Sequence, residues 1–559
     1  MEGRWVGQAG GRGLRQALVG LLLGLLLSMS ALLRLDTREL PAMLYLDPEP
    51  PTQTDHSQTG EEAAALQENL PRPAEPDDGD FVSIKRHIPD ILVDLKYATQ
   101  DNISGQVIYD FDWAPLRYGT VKKLMAAQAA LREQGYGLLV WDAFRPPAAQ
   151  FVLWEAFPDP RYVADPHRKF SNHSRGNCVD VTLVKAQGEP VEMPTEFDDF
   201  SPRAGRTYEE LAPEVAAHAR LLEEAMLQAG FVPYEAEWWH YTDAVDYPPE
   251  QQFSPAEALL PIRVHAVGDC VLAKGHNYAF EGSFEDYVQR ANGDLSYFFK
   301  HVADRFTADD LTIANGENVF TTATQRADKR HQGDRAFWFK GDPAYADIYR
   351  LGGVEAVNLA NNHSYDYLEQ GYQDTLAALR AAGVAPFGDD LTATVDCRGR
   401  RVALLGFNAL GRLEEGVDPA LLRQQVGEAV ARAAGEAELV IVSFHWGEEY
   451  ARQPNAQQTE LGRLAIDSGA HLVLGHHPHV LQPVETYNGR PIAYSLGNFV
   501  YGGAFRPPKE TAVLQTTFYL DAATGELDHV QYVLIPCETY GDTERNNYQP
   551  ILCPVPGQG

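Results

Sequence analysis

Two short segments, Ser171-Asn-His173-Ser-Arg-Gly-Asn-Cys-Val-Asp180 and Glu237-Trp-Trp-His240, hold two histidines and two carboxylates in an order that suits hydrolysis. A hydrolytic zinc centre typically takes three protein ligands and keeps one position open. His173, Asp180 and His240 fit those three places. Glu237, close before His240, is placed to take a proton from the attacking water. Such ligands need stiff supports. Val179-Asp180-Val181-Thr182-Leu183 alternates like a strand, and the aromatic run from Glu237 to Tyr241 reads as another. Cys178 could serve as a soft zinc ligand, but its place in a strand beside Asp180 reads as a buried small residue.

A second group of chemistry-bearing residues follows Pro261. Val264 to Asp269, Leu311 to Glu317, Ala356 to His363, Leu439 to Gly447 and His471 to His479 are short apolar runs that end in polar residues, as buried strands do. Helical stretches over 420–434 and 459–469 fall between them, and α/β sheets gather chemistry at strand ends. Asp269, Glu317, Asn362, His363, His445, His477 and His479 would then converge. Oxygen and imidazole donors in that number suit two divalent ions (zinc, manganese or iron) of the kind that clamp a phosphoryl group. Beyond Thr511, the runs 512–520 and 530–535 flank Asp521-Ala-Ala-Thr-Gly-Glu and read as a hairpin completing this sheet. The stretch after Tyr540 reads as irregular.

Upstream motifs turn the first group into a family resemblance. Asp94-Leu-Lys-Tyr-Ala-Thr, Asp101-Asn-Ile-Ser-Gly105, Asp142-Ala-Phe-Arg145-Pro, Ser171 to Asp180, Phe197-Asp-Asp-Phe200 and Glu237-Trp-Trp-His240 together resemble the D-alanyl-D-alanine dipeptidases, zinc enzymes related to the D,D-carboxypeptidases. The resemblance implies one zinc and a D-Ala-D-Ala or related wall-peptide substrate. It also implies that Arg145 stabilises the negative charge on the carbonyl oxygen, as a permanently charged guanidinium can. Ser171, at the head of the metal motif, is read as a substrate contact. Cys178 departs from the pattern, standing where a small residue, usually Ala, is expected.

The later motifs, Gly-Asp269, Asn-x-Glu317, Asn-Asn-His363-x-x-Asp, His445-Trp-Gly-Glu-Glu-Tyr450, Gly475-His-His-Pro-His-Val480 and Tyr494-Ser-Leu-Gly-Asn-Phe499, follow calcineurin-like metallophosphatase order. They resemble more closely the CapA-type proteins of poly-γ-glutamate capsule biosynthesis. Two departures stand out. The usual Asp-x-His is missing, because Cys270, Val271 and Leu272 follow Asp269, and Glu317 replaces a bridging Asp.

A protein of 559 residues is too long for one core. The expected architecture is an α+β zinc peptidase domain over 81–250, followed over 261–540 by an α/β domain of layered sheets like the metallophosphatases, with a tail over 541–559. A net charge of −32 argues against nucleic acid as a partner. The five cysteines show no metal-finger spacing; Cys537 and Cys553 could pair, and two buried thiols are the simpler reading. Residues 1–40 place Arg4, Arg12 and Arg15 before an uncharged run from Ala17 to Leu33, a membrane anchor or alternatively a cleaved signal. A Pro-rich, acidic tether over 41–80 follows, so both domains would lie outside the cytoplasm. The expected function is D-Ala-D-Ala hydrolysis coupled to handling of an anionic capsule or wall polymer. The alternatives are a carboxypeptidase acting on longer wall peptides, and a capsule-assembly protein that binds polymer without turnover.

Overall fold

The strand around Asp180 alternates as its sequence requires. The computed structural model describes residues 75–542 and 545–553; the apolar N-terminal run and most of the acidic tether lie outside them. Strands β1 (Leu92–Val93), β2 (Tyr136–Asp142), β3 (Cys178–Lys185), β4 (Phe231–Tyr234) and β5 (Glu237–Asp243) form a five-stranded sheet in the order β1-β2-β3-β5-β4. Only β1 and β2 run parallel. Val179, Val181 and Leu183 of β3 enter the apolar core, which leaves Cys178, Asp180 and Thr182 on the opposite face. Helices α1 (Tyr118–Arg132), α2 (Pro147–Ala156) and α3 (Pro213–Gln228) accompany this sheet. α1 buries Val121, Leu124, Gln128 and Leu131, and α3 buries Val215, Ala219, Leu222 and Met226, each a stripe at helical spacing.

The second half is built from two sheets. Strands β6 (Leu259–Val271), β7 (Leu311–Gly316), β8 (Ala356–Asn358) and β9 (Ala385–Phe387) pair in parallel at one side of an eight-stranded sheet. β10 (Ala393–Cys397), β11 (Arg400–Asn408), β12 (Leu439–His445), β13 (Leu472–His476), β14 (Leu481–Tyr487) and β15 (Arg490–Leu496) form a six-stranded sheet in the order β10-β11-β12-β13-β15-β14. On the edge of β6 away from β7, β16 (Asn498–Tyr501) pairs with its last residues, and β17 (Glu510–Asp521) with β18 (Leu527–Glu538) makes the expected antiparallel hairpin along the rest. The tail is not wholly irregular. β19 (Ile551–Leu552) adds to the free edge of β18, where unpaired backbone groups would otherwise remain.

Alternate residues hold these layers together. Ile262, Val264, Ile313 and Leu514 from the first sheet meet Leu404, Ile441, Leu472 and Leu474 from the second in one core. The intervening positions Val440, Val442 and Val473 face outward onto α5 (Pro419–Ala434) and α6 (Ala456–Asp467), while Val267, Ala314 and Val357 face α4 (Leu368–Ala381). The order is therefore helix, sheet, sheet, helix. Parallel strands with both faces covered read as continuous apolar runs, which is how β12 and β13 appear in sequence.

The two halves touch directly. The Tyr519 hydroxyl donates to Asp112 at 2.9 Å, Ser83 Oγ lies 3.1 Å from His529 Nδ1, and Arg86 pairs with Asp528 at 3.2 Å. Among the described residues no helix is long and apolar enough to cross a membrane, and all five cysteines are free thiols.

Leu474 is fully buried between the two sheets. Leu474→Ala should cost about 2–5 kcal/mol, read as a lowered denaturant midpoint; a cost below about 1 kcal/mol would show that the sheets are not tightly packed there.

Candidate metal centres

The first centre is built on a strand ladder. Asp180 on β3 is the register partner of His240 on β5, and Cys178 that of Thr242, so all four share one sheet face. His240 Nδ1 lies 2.9 Å from Asp180 Oδ1 and 3.4 Å from His173 Nε2, which is itself 3.3 Å from Asp180 Oδ2. His173 sits on a short turn capped by Ser171, whose Oγ accepts the His173 N–H at 3.3 Å. His173 Nδ1 donates to the Ala143 carbonyl at 2.7 Å, which leaves Nε2 as the ligating atom. These three donors fit one zinc. Against the cost of burial, Cys178 and Asp180 drive His240 up to about 10.

Glu237 opens β5, and its carboxylate stands 3.7 Å from His240 Nδ1. Residues three apart on a regular strand face opposite sides, but the β4–β5 register shifts beside Tyr234, and the strand start turns Glu237 back toward the ligands. Burial raises its carboxyl to about 7 against the pull of His240. Arg145 is 6% exposed and donates to Asp142 at 2.6 Å, Gln150 on α2 at 3.1 Å and the Tyr109 hydroxyl at 3.4 Å. Its guanidinium also lies 4.6 Å above the Tyr97 ring. Of its five N–H donors, this leaves one on each terminal nitrogen. Asp142 links it to the centre, because Asp142 Oδ2 is 3.4 Å from His173 Nδ1.

Two features were not assigned from sequence. Asp198, the first acid of Phe197-Asp-Asp-Phe200, accepts from the Tyr97 hydroxyl at 3.2 Å and the Ile103 N–H at 3.0 Å, and burial raises its carboxyl to about 6. The motif was visible, but nothing local told its inward acid from Asp199. Cys178 is buried as expected, yet it is more than a space-filler: its sulfur is 3.1 Å from His240 Nε2 and 3.7 Å from His173 Nε2.

The second centre forms where β6, β7, β12 and β13 end. Asp269 Oδ2 lies 3.0 Å from His479 Nδ1, and the Asn315 amide donates to Asp269 Oδ1 at 2.8 Å. His445 Nε2 is 2.9 Å from Asn362 Oδ1 and 3.5 Å from Glu317 Oε1. Glu317, His445 and His477 offer donor atoms within 4.8 Å of one another, as do Glu449, His477 and His479. Glu317 is 1% exposed, and neither carboxylate oxygen has a hydrogen-bond partner. Burial pushes its carboxyl well up, and it pushes His477 down to about 3, leaving a neutral imidazole suited to ligation. The donors fit divalent metal.

Not every expected residue faces inward equally. His363 Nδ1 is engaged by Asp366, the last residue of its motif, at 2.9 Å and by Lys329, which the sequence did not single out, at 3.3 Å. The loop carrying the later histidines is strained, with φ of +94° at His477 and +58° at His479. Non-glycine residues rarely adopt such values, and they persist where the surroundings impose them.

Residues 77–257 match the family model described as D-ala-D-ala dipeptidase. This stretch is 35% identical over 174 residues to the D-alanyl-D-alanine dipeptidase of Escherichia coli (strain K12), covering 31% of the chain and 90% of that protein. The chain belongs to the D-alanyl-D-alanine dipeptidase family. Beyond the dipeptidase-family half, residues 263–502 match the model described as bacterial capsule synthesis protein PGA_cap. The chain is 32% identical over 264 residues to Capsule biosynthesis protein CapA of Bacillus anthracis, covering 44% of the chain. It is 33% identical over 252 residues to PGA biosynthesis protein CapA of Bacillus subtilis (strain 168), covering 42%. It spans 63% and 64% of those two relatives.

If the second centre binds metal as its donors suggest, His445→Ala should weaken metal retention by the full-length protein at least ~10-fold. The dipeptidase-family half should be unaffected, since distant sites act independently. Unchanged metal content would remove His445 from the ligand set.

Proposed function

We propose that the dipeptidase-family half hydrolyses D-alanyl-D-alanine. The observation that carries this reading is the convergence of His173, Asp180 and His240 on one point, with the Glu237 carboxyl 3.7 Å from His240 and raised to about 7. Zinc, when bound by those three residues, supplies a Lewis acid for the scissile carbonyl and makes water more acidic. Glu237 accepts the proton of the attacking water on its carboxylate and passes it to the departing amino nitrogen, a transfer favoured by a carboxyl near neutrality. Arg145, held by Asp142 and Gln150, directs its remaining donors at the negative charge that builds on the carbonyl oxygen. Asp198 supplies a buried carboxylate for the free amino end, the feature that separates a dipeptide from a longer peptide.

The capsule-type half, read as a metallophosphatase-like sandwich, would hold two divalent ions and act on or handle an anionic capsule or wall polymer. Two such ions clamp a phosphoryl group and stabilise attacking and leaving oxygens. The unpaired oxygens of Glu317 favour ion binding over a bare polymer-binding surface. With the N-terminal apolar run read as an anchor, both halves would work outside the cytoplasm, on wall peptides and polymer.

The deciding assay presents D-Ala-D-Ala to the full-length, zinc-loaded protein beside an N-blocked pentapeptide ending in the same residues. Hydrolysis of the dipeptide alone is expected; preference for the pentapeptide would make the protein a carboxypeptidase. In the same assay Glu237→Ala should lose about 10²–10⁴-fold in rate and keep its zinc. Zinc lost together with activity would make Glu237 a ligand. Arg145→Lys keeps the charge but not the fork, so kcat should fall about 10²–10³-fold with little change in KM. A large rise in KM at constant kcat would instead assign Arg145 to the substrate carboxylate.

A further inference from the structure

An ion bound beside Asp269 would be short of a protein ligand. In metallophosphatase order an Asp-x-His strand end supplies two donors, but here Cys270, Val271 and Leu272 follow Asp269. Asp269, Glu317 and His479 remain on that side of the centre, with His479 Nδ1 at 3.0 Å from Asp269 Oδ2 and 3.9 Å from Glu317 Oε2.

His476, outside the set of residues expected from the motifs, lies where a fourth donor is wanted. It is the last residue of β13 and the register partner of His445 on β12. Paired residues on neighbouring strands project to the same sheet face, so the His476 ring enters the centre alongside that of His445. It is 1% exposed, and neither of its ring nitrogens has a hydrogen-bond partner. A buried imidazole with neither nitrogen hydrogen-bonded is exceptional, because interior polar atoms are nearly always satisfied. Its Nδ1 stands 3.5 Å from Asp269 Oδ1. With metal–ligand bonds of about 2.0–2.2 Å, two donors on one ion stand roughly 3–3.5 Å apart. Gly475 helps to set this position: a Cβ there would meet the Tyr494 carbonyl at 2.0 Å, so only glycine lets β13 close on β15 just before His476.

We propose that His476 is a ligand of the ion held by Asp269, Glu317 and His479, in place of the absent Asp-x-His histidine. The inference rests on the two-metal reading of the second centre and adds one residue to it.

The test uses the full-length protein, stripped with chelator, loaded with zinc at the first centre and titrated with manganese alone. The wild-type protein should show the electron paramagnetic resonance spectrum of a coupled manganese pair. His476→Gln should replace it by the spectrum of an isolated ion, with one fewer manganese per molecule, while D-Ala-D-Ala hydrolysis stays unchanged and reports an intact fold. An unchanged pair spectrum and metal count in folded His476→Gln would overturn the assignment and leave the two-metal reading standing. No manganese pair in the wild-type protein would overturn both. Pulsed measurements on the wild-type protein guard against a variant that fails to fold. Imidazole nitrogen couplings from His476 as well as His445, His477 and His479 support the assignment, and couplings from only the other three reject it.

Discussion

Carboxylates and imidazoles crowded together in the interior are the constraint around which both centres are arranged. A carboxylate in the interior is costly unless donors or a cation meet it. Glu317 has neither oxygen satisfied, and Asp269 is fully buried among histidines. In the first centre Asp180 is buried against two imidazoles, which Cys178 and Asp180 push up against the cost of burial while they hold the Asp180 carboxyl down. The neighbouring strands, turns and caps hold these groups in place against that cost. A divalent ion bound at either centre would relieve it.

The two centres meet this constraint with different supports. In the first, two ligands are ladder partners on antiparallel strands, so backbone hydrogen bonds fix their separation, and the third comes from a capped turn. This gives a centre whose ligands His173 and Asp180 are buried, with Arg145 joined to it through Asp142. The second collects donors from the ends of parallel strands and from a loop with left-handed backbone at His477 and His479. Beside it the ring of Tyr450 is exposed and lies 6.2 Å from that of His479, and the Glu449 carboxylate is within reach of His477 and His479. The contacts of Tyr519, His529 and Asp528 with the dipeptidase-family half join the two centres in one molecule without giving them a shared ligand.

Much of this architecture is legible in the residues themselves. The alternation around Asp180 places it on a strand face opposite Val179 and Val181, and the apolar runs ending in Asp269, Glu317, His445 and His479 announce buried parallel strands with polar tips. The hairpin of β17 and β18 and the helices α5 and α6 follow from turn residues and helical spacing. Side-chain period is a local property, so residue type and spacing suffice to choose the face and the element.

Pairing between distant residues is another matter, and only the tertiary structure decided it. The commitment of Arg145 to Asp142 and Gln150, the turn of His363 toward Lys329 and Asp366, and the seating of Cys178 against His240 depend on neighbours remote in sequence or on the direction the backbone takes at a turn. The same holds for Asp198, chosen over Asp199 by the Tyr97 hydroxyl, and for His476, whose unpaired nitrogens are visible only once β12 lies beside it. Sequence spacing determined which donors exist and which face they occupy. Packing determined which of them were left without a partner, because whether a buried polar atom is satisfied depends on every group within hydrogen-bond reach, and most of those groups are far away in sequence.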